Sequence, residues 1–170
     1  MITEEYRRVL EHMHSGGDWG TKGYKYFGEI CAFHNRLGCR SILDYGCGRQ
    51  TLRAIAERTH PGMEVRGYDP GIPAYAARPA PADLVVSTDV FEHIEREHLQ
   101  AVIADVFALA RRGVFLHIAT KIAKRCLPDG RNAHLIVEPA AWWLEQIRPP
   151  GWQLVDKSVG SKTLKLWFTK

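Results

Sequence analysis

The sequence predicts an α/β fold built on a mostly parallel sheet that ends in an antiparallel hairpin. Three stretches with the composition of buried strands each end in an acidic residue, and parallel strands of this kind deliver polar side chains to one edge of a sheet. These stretches are residues 41–44, 64–69 and 82–89. Near the C-terminus, residues 152–159 and 162–169 alternate around Gly160 and Ser161, which favours a hairpin.

The first 38 residues predict two helices joined by a loop. Residues 3–14 carry apolar side chains at helical spacing behind Thr3, a suitable N-cap. Residues 24–37 repeat the spacing. The glycine-rich loop between them contains Trp19, for which two roles stay open: packing the loop against the domain, or closing over a ligand as a lid.

The turn after the first strand reads Asp44-Tyr45-Gly46-Cys47-Gly48 and indicates a nucleotide-type site. Glycines let the backbone approach a ligand, and the N–H groups that begin the next helix, residues 51–58, can hold polar or anionic groups. Asp44 is placed to accept a hydrogen bond from an ammonium group. Asp69 ends the following strand, where a carboxylate can accept hydrogen bonds from both hydroxyls of a ribose.

The middle of the chain predicts two helices and a strand, and it contains one segment that is too short for both a helix and a strand. Between Asp69 and Asp83 lie thirteen residues, four of them prolines, which leaves no room for both a helix and a strand. Residues 97–111 then predict a helix. Residues 113–119 predict a buried central strand, with His117 toward its carboxyl end. Another helix is expected over residues 140–147.

At these residues the chain resembles class I S-adenosylmethionine-dependent methyltransferases, most closely the small-molecule type that includes the ubiquinone-biosynthesis enzymes. The matching pieces are residues 43–48, 67–69, 83–86 and 89–94. The resemblance implies a Rossmann-like sheet, trimmed to about six strands because the gap after Asp69 leaves no room for the family's edge strand. It also implies one domain over residues 1–170, with helices and a lid-like loop in 1–38 and a cofactor-binding sheet core in 39–170.

The resemblance further implies that the cofactor is S-adenosyl-L-methionine. The reaction would be transfer of its methyl group to an oxygen or nitrogen of a small-molecule or nucleotide-like acceptor. The residues implied for cofactor binding are Asp44, Gly46, Cys47, Gly48, Asp69, Pro70, Thr88, Asp89 and Val90. The family often has a third glycine where this chain has Gln50.

On the acceptor side, Trp19, Arg131 and Asn132 are the expected contacts, with a purely structural role in tying the loop down left open for Arg131, Asn132 and His134. A histidine suits a general base near neutral pH. His134 is the first candidate, because many small-molecule methyltransferases have a histidine in this loop. His117 is the second, with a role as a core residue left open. His93 is a further possible base, but orienting the loop by hydrogen bonding is its favoured role.

Two other functions stay open. A noncatalytic S-adenosylmethionine-binding or interaction protein would keep the same turn, and Gln50 with the shortened sheet would suit a degraded site. An NAD-dependent oxidoreductase would share the turn and the ribose acid. It is disfavoured because Thr51 occupies the sixth position of the dinucleotide Gly-x-Gly-x-x-Gly fingerprint.

Composition narrows the partners. The net charge is +4 and the basic residues are scattered, so sequence-specific DNA binding is not expected. The chain has no apolar run of about eighteen residues, so we expect no membrane association and a cytoplasmic location. The four cysteines lack Cys-x-x-Cys spacing, and no metal site is expected. The expected assembly is a monomer or homodimer.

Overall fold

A computed structural model describes residues 2–16 and 19–170, and positions 17 and 18 of the predicted lid-like loop lie outside this part. Six strands form one sheet in the order β2-β1-β3-β4-β6-β5. The strands are β1 Ser41–Tyr45, β2 Glu64–Tyr68, β3 Ala82–Thr88, β4 Ala110–Ala119, β5 Gln153–Val159 and β6 Thr163–Thr169. β1 to β4 pair in parallel, whereas β6 is antiparallel to both β4 and β5. The predicted mostly parallel sheet with a C-terminal antiparallel hairpin is confirmed.

Helices cover both faces of this sheet. They are α1 Glu4–Ser15, α2 Phe27–Arg36, α3 Thr51–Thr59, α4 Leu99–Leu109 and α5 Ala140–Gln146. Apolar side chains of α2 and α3 share one core cluster with β1, and those of α4 and α5 share a second. Because side chains of β1 contribute to both clusters, this strand is buried on both faces, as a central parallel strand is.

The segment after β2 holds no sheet strand within the described residues. Between Asp69 and β3 the chain forms only a short 3-10 turn, Pro73–Tyr75. Four prolines in this segment prevent a longer helix, and β2 is therefore the edge of the sheet. The expected trimming to six strands is confirmed.

The boundary between α4 and β4 differs from the prediction. The sequence predicted a helix to residue 111 and a strand from 113, whereas α4 ends at Leu109 and β4 begins at Ala110. Ala110 pairs with Ala82 across an irregularity in the β3–β4 register, and this pairing extends the strand toward the helix. The apolar run alone did not reveal the irregularity.

Helix α1 lies over the loop that follows β4. Thr3 caps it, as predicted, with its hydroxyl oxygen accepting from the N–H of Tyr6. Tyr6 is buried against Leu127 and Ala133, and its hydroxyl donates to the carbonyl oxygen of His93 at 2.6 Å. These contacts fix the helix over the carboxyl ends of the strands.

None of the helices in the described ranges is long and apolar enough to cross a membrane.

Candidate active site

A cavity of about 640 Å³ lies between α1 and the carboxyl ends of β1 to β4. Its volume is in the range of about 300 to 1,000 Å³ that small-molecule sites occupy. It is lined by these predicted site residues: Trp19, Asp44, Gly46, Cys47, Gly48, Asp69, Pro70, Thr88, Asp89, Val90, His117 and His134. The residues predicted from the glycine turn and from the strand ends therefore meet in one place.

The turn after β1 places bare backbone at the cavity wall. Gly46 has φ +85° and Gly48 has φ +48°, in the left-handed region that favours glycine. A Cβ on Gly46 would lie 2.3 Å from a methyl carbon of Val90. The N–H groups of Gly46 and Cys47 donate to the carbonyl oxygen of Tyr68 at 2.7 and 3.0 Å, which ties the turn to β2. Side chains are thus excluded at both glycines.

Gln50 keeps the left-handed backbone conformation of a glycine, with φ +53°. Its N–H donates to the carbonyl oxygen of Cys47 at 2.8 Å, so the turn closes in spite of the side chain. A left-handed conformation costs a non-glycine residue about 1–2 kcal/mol. The turn therefore carries backbone strain at this position.

Asp44 is a buried carboxyl group without a cationic partner among the described residues. It lies one residue before the end of β1, and it is only 3% exposed. Burial, with a smaller effect of the neighbouring Asp69 charge, raises the pKa of Asp44 to about 7. A cationic ligand group in the cavity would stabilise the ionised form of Asp44 and so lower its pKa.

Asp69 directly follows β2 and ties two backbone segments together. Its Oδ2 accepts from the N–H of Gly48 at 3.0 Å, and its Oδ1 accepts from the N–H of Gly71 at 2.9 Å. The Nε2 atom of His14 lies 3.8 Å from Oδ2. A carboxylate has about four acceptor sites, so Asp69 keeps acceptor capacity for ligand hydroxyls.

Gly20, between α1 and α2, packs on the glycine turn. The carbonyl oxygen of Gly20 accepts from the N–H of Arg49 at 3.0 Å. Trp19 meets His93 edge to face, with ring centroids 5.0 Å apart, and it also lines the cavity. This position suits both roles that the sequence left open for Trp19, packing the loop against the domain and closing over a ligand as a lid.

At the end of β3, Asp89 and His117 form a close pair. Asp89 has φ +55°, and its N–H donates to the carbonyl oxygen of His117 at 3.0 Å. The Nδ1 atom of His117 lies 2.8 Å from Oδ1 of Asp89, and its Nε2 lies 3.0 Å from the hydroxyl of Tyr26. Burial alone would raise the pKa of Asp89, but the contact with His117 lowers it. Both ring nitrogens of His117 thus have neighbours in the protein.

His93 and His134 contact each other at the same end of the cavity, with ring centroids 4.8 Å apart. The Nδ1 atom of His93 lies 2.6 Å from the carbonyl oxygen of Ala133. The Nδ1 atom of His134 lies 2.5 Å from that of Lys121. Burial lowers the pKa of His93 to about 4 and also lowers the pKa of His134. Both rings are therefore neutral near pH 7, and His93 orients the loop by hydrogen bonding as expected.

Arg131 and Asn132 do not line the cavity. Arg131 is exposed and pairs with Asp129, with its Nη2 2.6 Å from Oδ2. The side-chain oxygen of Asn132 accepts from the N–H groups of Ala123 and His134, both at 3.0 Å. Both side chains, which were predicted to contact the acceptor, thus make these contacts within the loop itself.

The cavity-lining residues that sequence reasoning did not select include three from the N-terminal segment: His14, Lys22 and Tyr26. They come from the N-terminal segment, which joins the sheet only through tertiary packing. Lys22 follows the predicted lid-like loop, and Tyr26 lies in the 3-10 turn Gly23–Tyr26 before α2. No local pattern distinguishes these positions from ordinary helix ends.

No family model matches the chain, and no curated protein matches it. Solved structures do match. One is 1,6-didemethyltoxoflavin-N1-methyltransferase from Burkholderia thailandensis with S-adenosylhomocysteine, at TM-score 0.69 and 19% identity, covering 100% of this chain and 91% of that one. The chain has the class I methyltransferase fold.

Two further structures share the class I fold at comparable similarity. Magnesium protoporphyrin IX methyltransferase from Synechocystis PCC 6803 matches at TM-score 0.63 and 16% identity, covering 100% of this chain and 88% of that one. An rRNA methylase from Escherichia coli matches at TM-score 0.55 and 19% identity, covering 99% of this chain and 77% of that one. The names of these three proteins thus refer to different methyl acceptors: a didemethyltoxoflavin, magnesium protoporphyrin IX and rRNA.

Proposed function

We propose that this protein transfers a methyl group from S-adenosyl-L-methionine to an oxygen or nitrogen of a small-molecule or nucleotide-like acceptor that carries negative charge. The observation that carries the proposal is the placement of Asp44 and Asp69 on either side of the glycine turn, in a cavity at the strand ends of a class I fold. Two of the structures similar to this chain hold S-adenosylhomocysteine.

The residues of the cavity fit this cofactor. The buried carboxyl group of Asp44 has no cation paired with it in the described part of the chain, and an amino group would supply one. Asp69 keeps acceptor sites for the hydroxyls of a ribose. At Gly46 a Cβ would collide with Val90, so the backbone itself forms the cavity wall there.

S-adenosyl-L-methionine, when bound, supplies a methyl group already activated on a sulfonium. The protein must then hold the acceptor in line with that methyl group and exclude water, because positioning accounts for much of the rate enhancement in such reactions. Trp19 and Tyr6 border the cavity on the side of α1, where they limit the entry of solvent.

Of the candidate bases, the geometry favours His134. Nδ1 of His134 donates to a backbone carbonyl, so the lone pair is on Nε2, which has no partner among the described residues. The lowered pKa of His134 keeps that nitrogen unprotonated near neutral pH. Nε2 of His134 would accept the proton that the acceptor loses. His117 remains the second candidate, although Tyr26 and Asp89 lie against its two ring nitrogens.

The charge of the acceptor is inferred from the cavity lining. Four lysine side chains border the cavity and are exposed to solvent: Lys22, Lys25, Lys121 and Lys124. Asp44, Asp69 and Asp89 also line the cavity. The charges of Lys22 and Lys121 act on the candidate base His134, and positive charge near the acceptor position attracts anionic ligands. A phosphate or carboxylate on the acceptor would meet this requirement.

A direct test incubates the protein with S-adenosyl-L-methionine labelled in the methyl group, together with fractions of small acidic metabolites and nucleotides. We expect label to enter an anionic fraction, with a rate that falls as salt is raised. Lys121→Ala together with Lys124→Ala should raise KM with little change in kcat, whereas His134→Ala should lower kcat. Cofactor binding without turnover on any fraction would contradict the catalytic proposal and favour a noncatalytic binding protein. Tight NAD binding in place of S-adenosyl-L-methionine would overturn both.

A further inference from the structure

Three metal-ligating side chains converge at the acceptor end of the cavity. Glu92 and His93 are adjacent in the 3-10 turn Phe91–His93 that follows β3. His134 reaches the same point from the loop before α5. One carboxylate oxygen of Glu92 and one ring nitrogen of each histidine all lie within 4.8 Å of one another.

Both histidines are held in the orientation of a metal ligand. Each donates its Nδ1 proton to a backbone carbonyl oxygen, His93 to Ala133 and His134 to Lys121. The lone pair of each ring is then on Nε2. Metal-binding histidines in proteins show this arrangement, in which a hydrogen bond to one nitrogen fixes the tautomer and directs the other nitrogen to the ion.

Glu92 supplies an independent observation. The residue is fully buried, at 0% exposure, and its Oε1 accepts from the N–H of Ala119 at 3.0 Å. Its Oε2 is buried and has no hydrogen-bond partner in the described part of the chain. A buried carboxyl oxygen without a partner is costly, and a cation that displaces the carboxyl proton and binds Oε2 would remove that cost.

We propose that Glu92, His93 and His134 bind a divalent first-row transition-metal ion, such as Mn²⁺, Co²⁺ or Zn²⁺. Imidazole nitrogens and a carboxylate suit these ions, whereas Mg²⁺ and Ca²⁺ prefer oxygen ligands throughout. Metal–ligand bonds of about 2.0–2.2 Å in tetrahedral geometry place any two ligand atoms about 3.3–3.6 Å apart. Because the three ligand atoms lie within 4.8 Å of one another, the side chains need to close by up to about 1.5 Å around the ion.

Such an ion would have an open side toward the cavity that His93 and His134 line. An oxygen of the acceptor could then complete its coordination. Bound to the ion, Nε2 of His134 is no longer a proton acceptor. The ion would instead lower the pKa of the coordinated acceptor hydroxyl, whose proton would pass to solvent. This catalytic role rests on the proposed methyl transfer, whereas binding of the ion does not.

Lys22 provides a competing account of the same site. Its ammonium charge acts on Asp89, Glu92, His93 and His134. In that account the lysine balances the buried carboxylates and no ion binds. The two accounts predict opposite results for Lys22→Ala: metal binding is retained or strengthened if the site takes an ion, and is absent before and after the substitution if it does not.

The test is calorimetric titration of the metal-stripped protein with Mn²⁺, Zn²⁺ and Co²⁺, with no S-adenosyl-L-methionine present. We expect one ion per chain and, with Co²⁺, a visible absorption band. His134→Ala and Glu92→Gln should each weaken binding at least tenfold, whereas His12→Ala, an exposed histidine of α1, should leave it unchanged. If Glu92→Gln unfolds the protein, the half-buried His134 still provides the test.

Absence of binding by all three ions, or equal affinity in wild type and His134→Ala, would overturn the metal site. Because the titration needs neither cofactor nor acceptor, its failure would leave the proposed methyl transfer untouched. Conversely, a protein that binds one Co²⁺ at these residues but no S-adenosyl-L-methionine would retain the metal site and lose the proposed function.

Discussion

Gly20 and Gly48 are in backbone contact, although 28 positions separate them in the chain. A Cβ on Gly48 would lie 2.6 Å from Cα of Gly20 and 2.7 Å from its carbonyl oxygen. The same carbonyl accepts from the N–H of Arg49 at 3.0 Å. The N-terminal segment is thus packed directly on the cofactor turn, and the two form one wall of the cavity.

Substitution of Gly48 by Ala should separate these segments. The new Cβ collides with backbone, which cannot move aside as a flexible side chain would, and the residue must also keep φ +48°. We expect a loss of about 2 kcal/mol or more in the free energy of unfolding, measured by urea denaturation. Gly28→Ala is the control, because a Cβ there meets nothing within 4 Å in helix α2. It should be neutral or slightly stabilising, and equal losses in both variants would contradict the packing described.

Gln50→Gly should have the opposite effect. Glycine relieves the left-handed strain at φ +53°, a gain of about 1 kcal/mol after the greater chain entropy of glycine in the unfolded state is included. Thermal unfolding would show this as a higher Tm. Gln100→Gly, within helix α4, serves as the matched control and should be destabilising by about 1 kcal/mol. A lower Tm for Gln50→Gly would show that the side chain contributes more than the strain costs.

Asp44 should give the stability a characteristic pH dependence. The pKa of Asp44 is about 7 in the folded state, above the ordinary value of 3.8. Between about pH 4 and pH 7, the carboxyl group is therefore protonated in the folded state and ionised in the unfolded state. Stability from this group therefore falls as pH rises from about 4 to 7 and is constant above that. In Asp44→Asn this fall is absent, and the Tm difference between variant and wild type should shift in favour of the variant from pH 5 to pH 8.

Two comparisons test that interpretation. Asp156→Asn, on the exposed edge strand β5, should follow the wild-type pH dependence. The stabilised Asp44→Asn variant should also lose affinity for S-adenosyl-L-methionine, because it lacks the carboxylate that pairs with a cationic group. A Tm difference that is the same at pH 5 and pH 8 would mean that Asp44 does not titrate between these values.

The sheet could be predicted from sequence because its signals are local. Asp44 lies near the carboxyl end of β1, Asp69 and Asp89 directly follow β2 and β3, and parallel strands must bring their carboxyl ends to one edge. The absence of the edge strand could also be predicted, because four prolines in thirteen residues exclude it. The irregularity in strand register at Ala82 and Ala110 could not be predicted, because register depends on the partner strand.

The candidate site was predicted less completely. Arg131 and Asn132 lie in the expected loop, yet the direction of their side chains depends on local hydrogen bonds to Asp129 and Ala123. Tyr26 and Lys22 reach the cavity through the packing of the N-terminal segment, which no spacing along the chain encodes. Glu92 and His93 were visible as neighbours, but their approach to His134 exists only in three dimensions.

The most direct test of the central claim is isothermal titration of the protein with S-adenosyl-L-methionine, S-adenosylhomocysteine and NAD, in wild type and in Asp69→Asn. If Asp69 accepts hydrogen bonds from the ribose, both adenosyl ligands bind one per chain, NAD binds weakly or not at all, and Asp69→Asn loses about tenfold or more in affinity. Binding of NAD alone, or equal affinity of wild type and Asp69→Asn for S-adenosyl-L-methionine, would contradict the account.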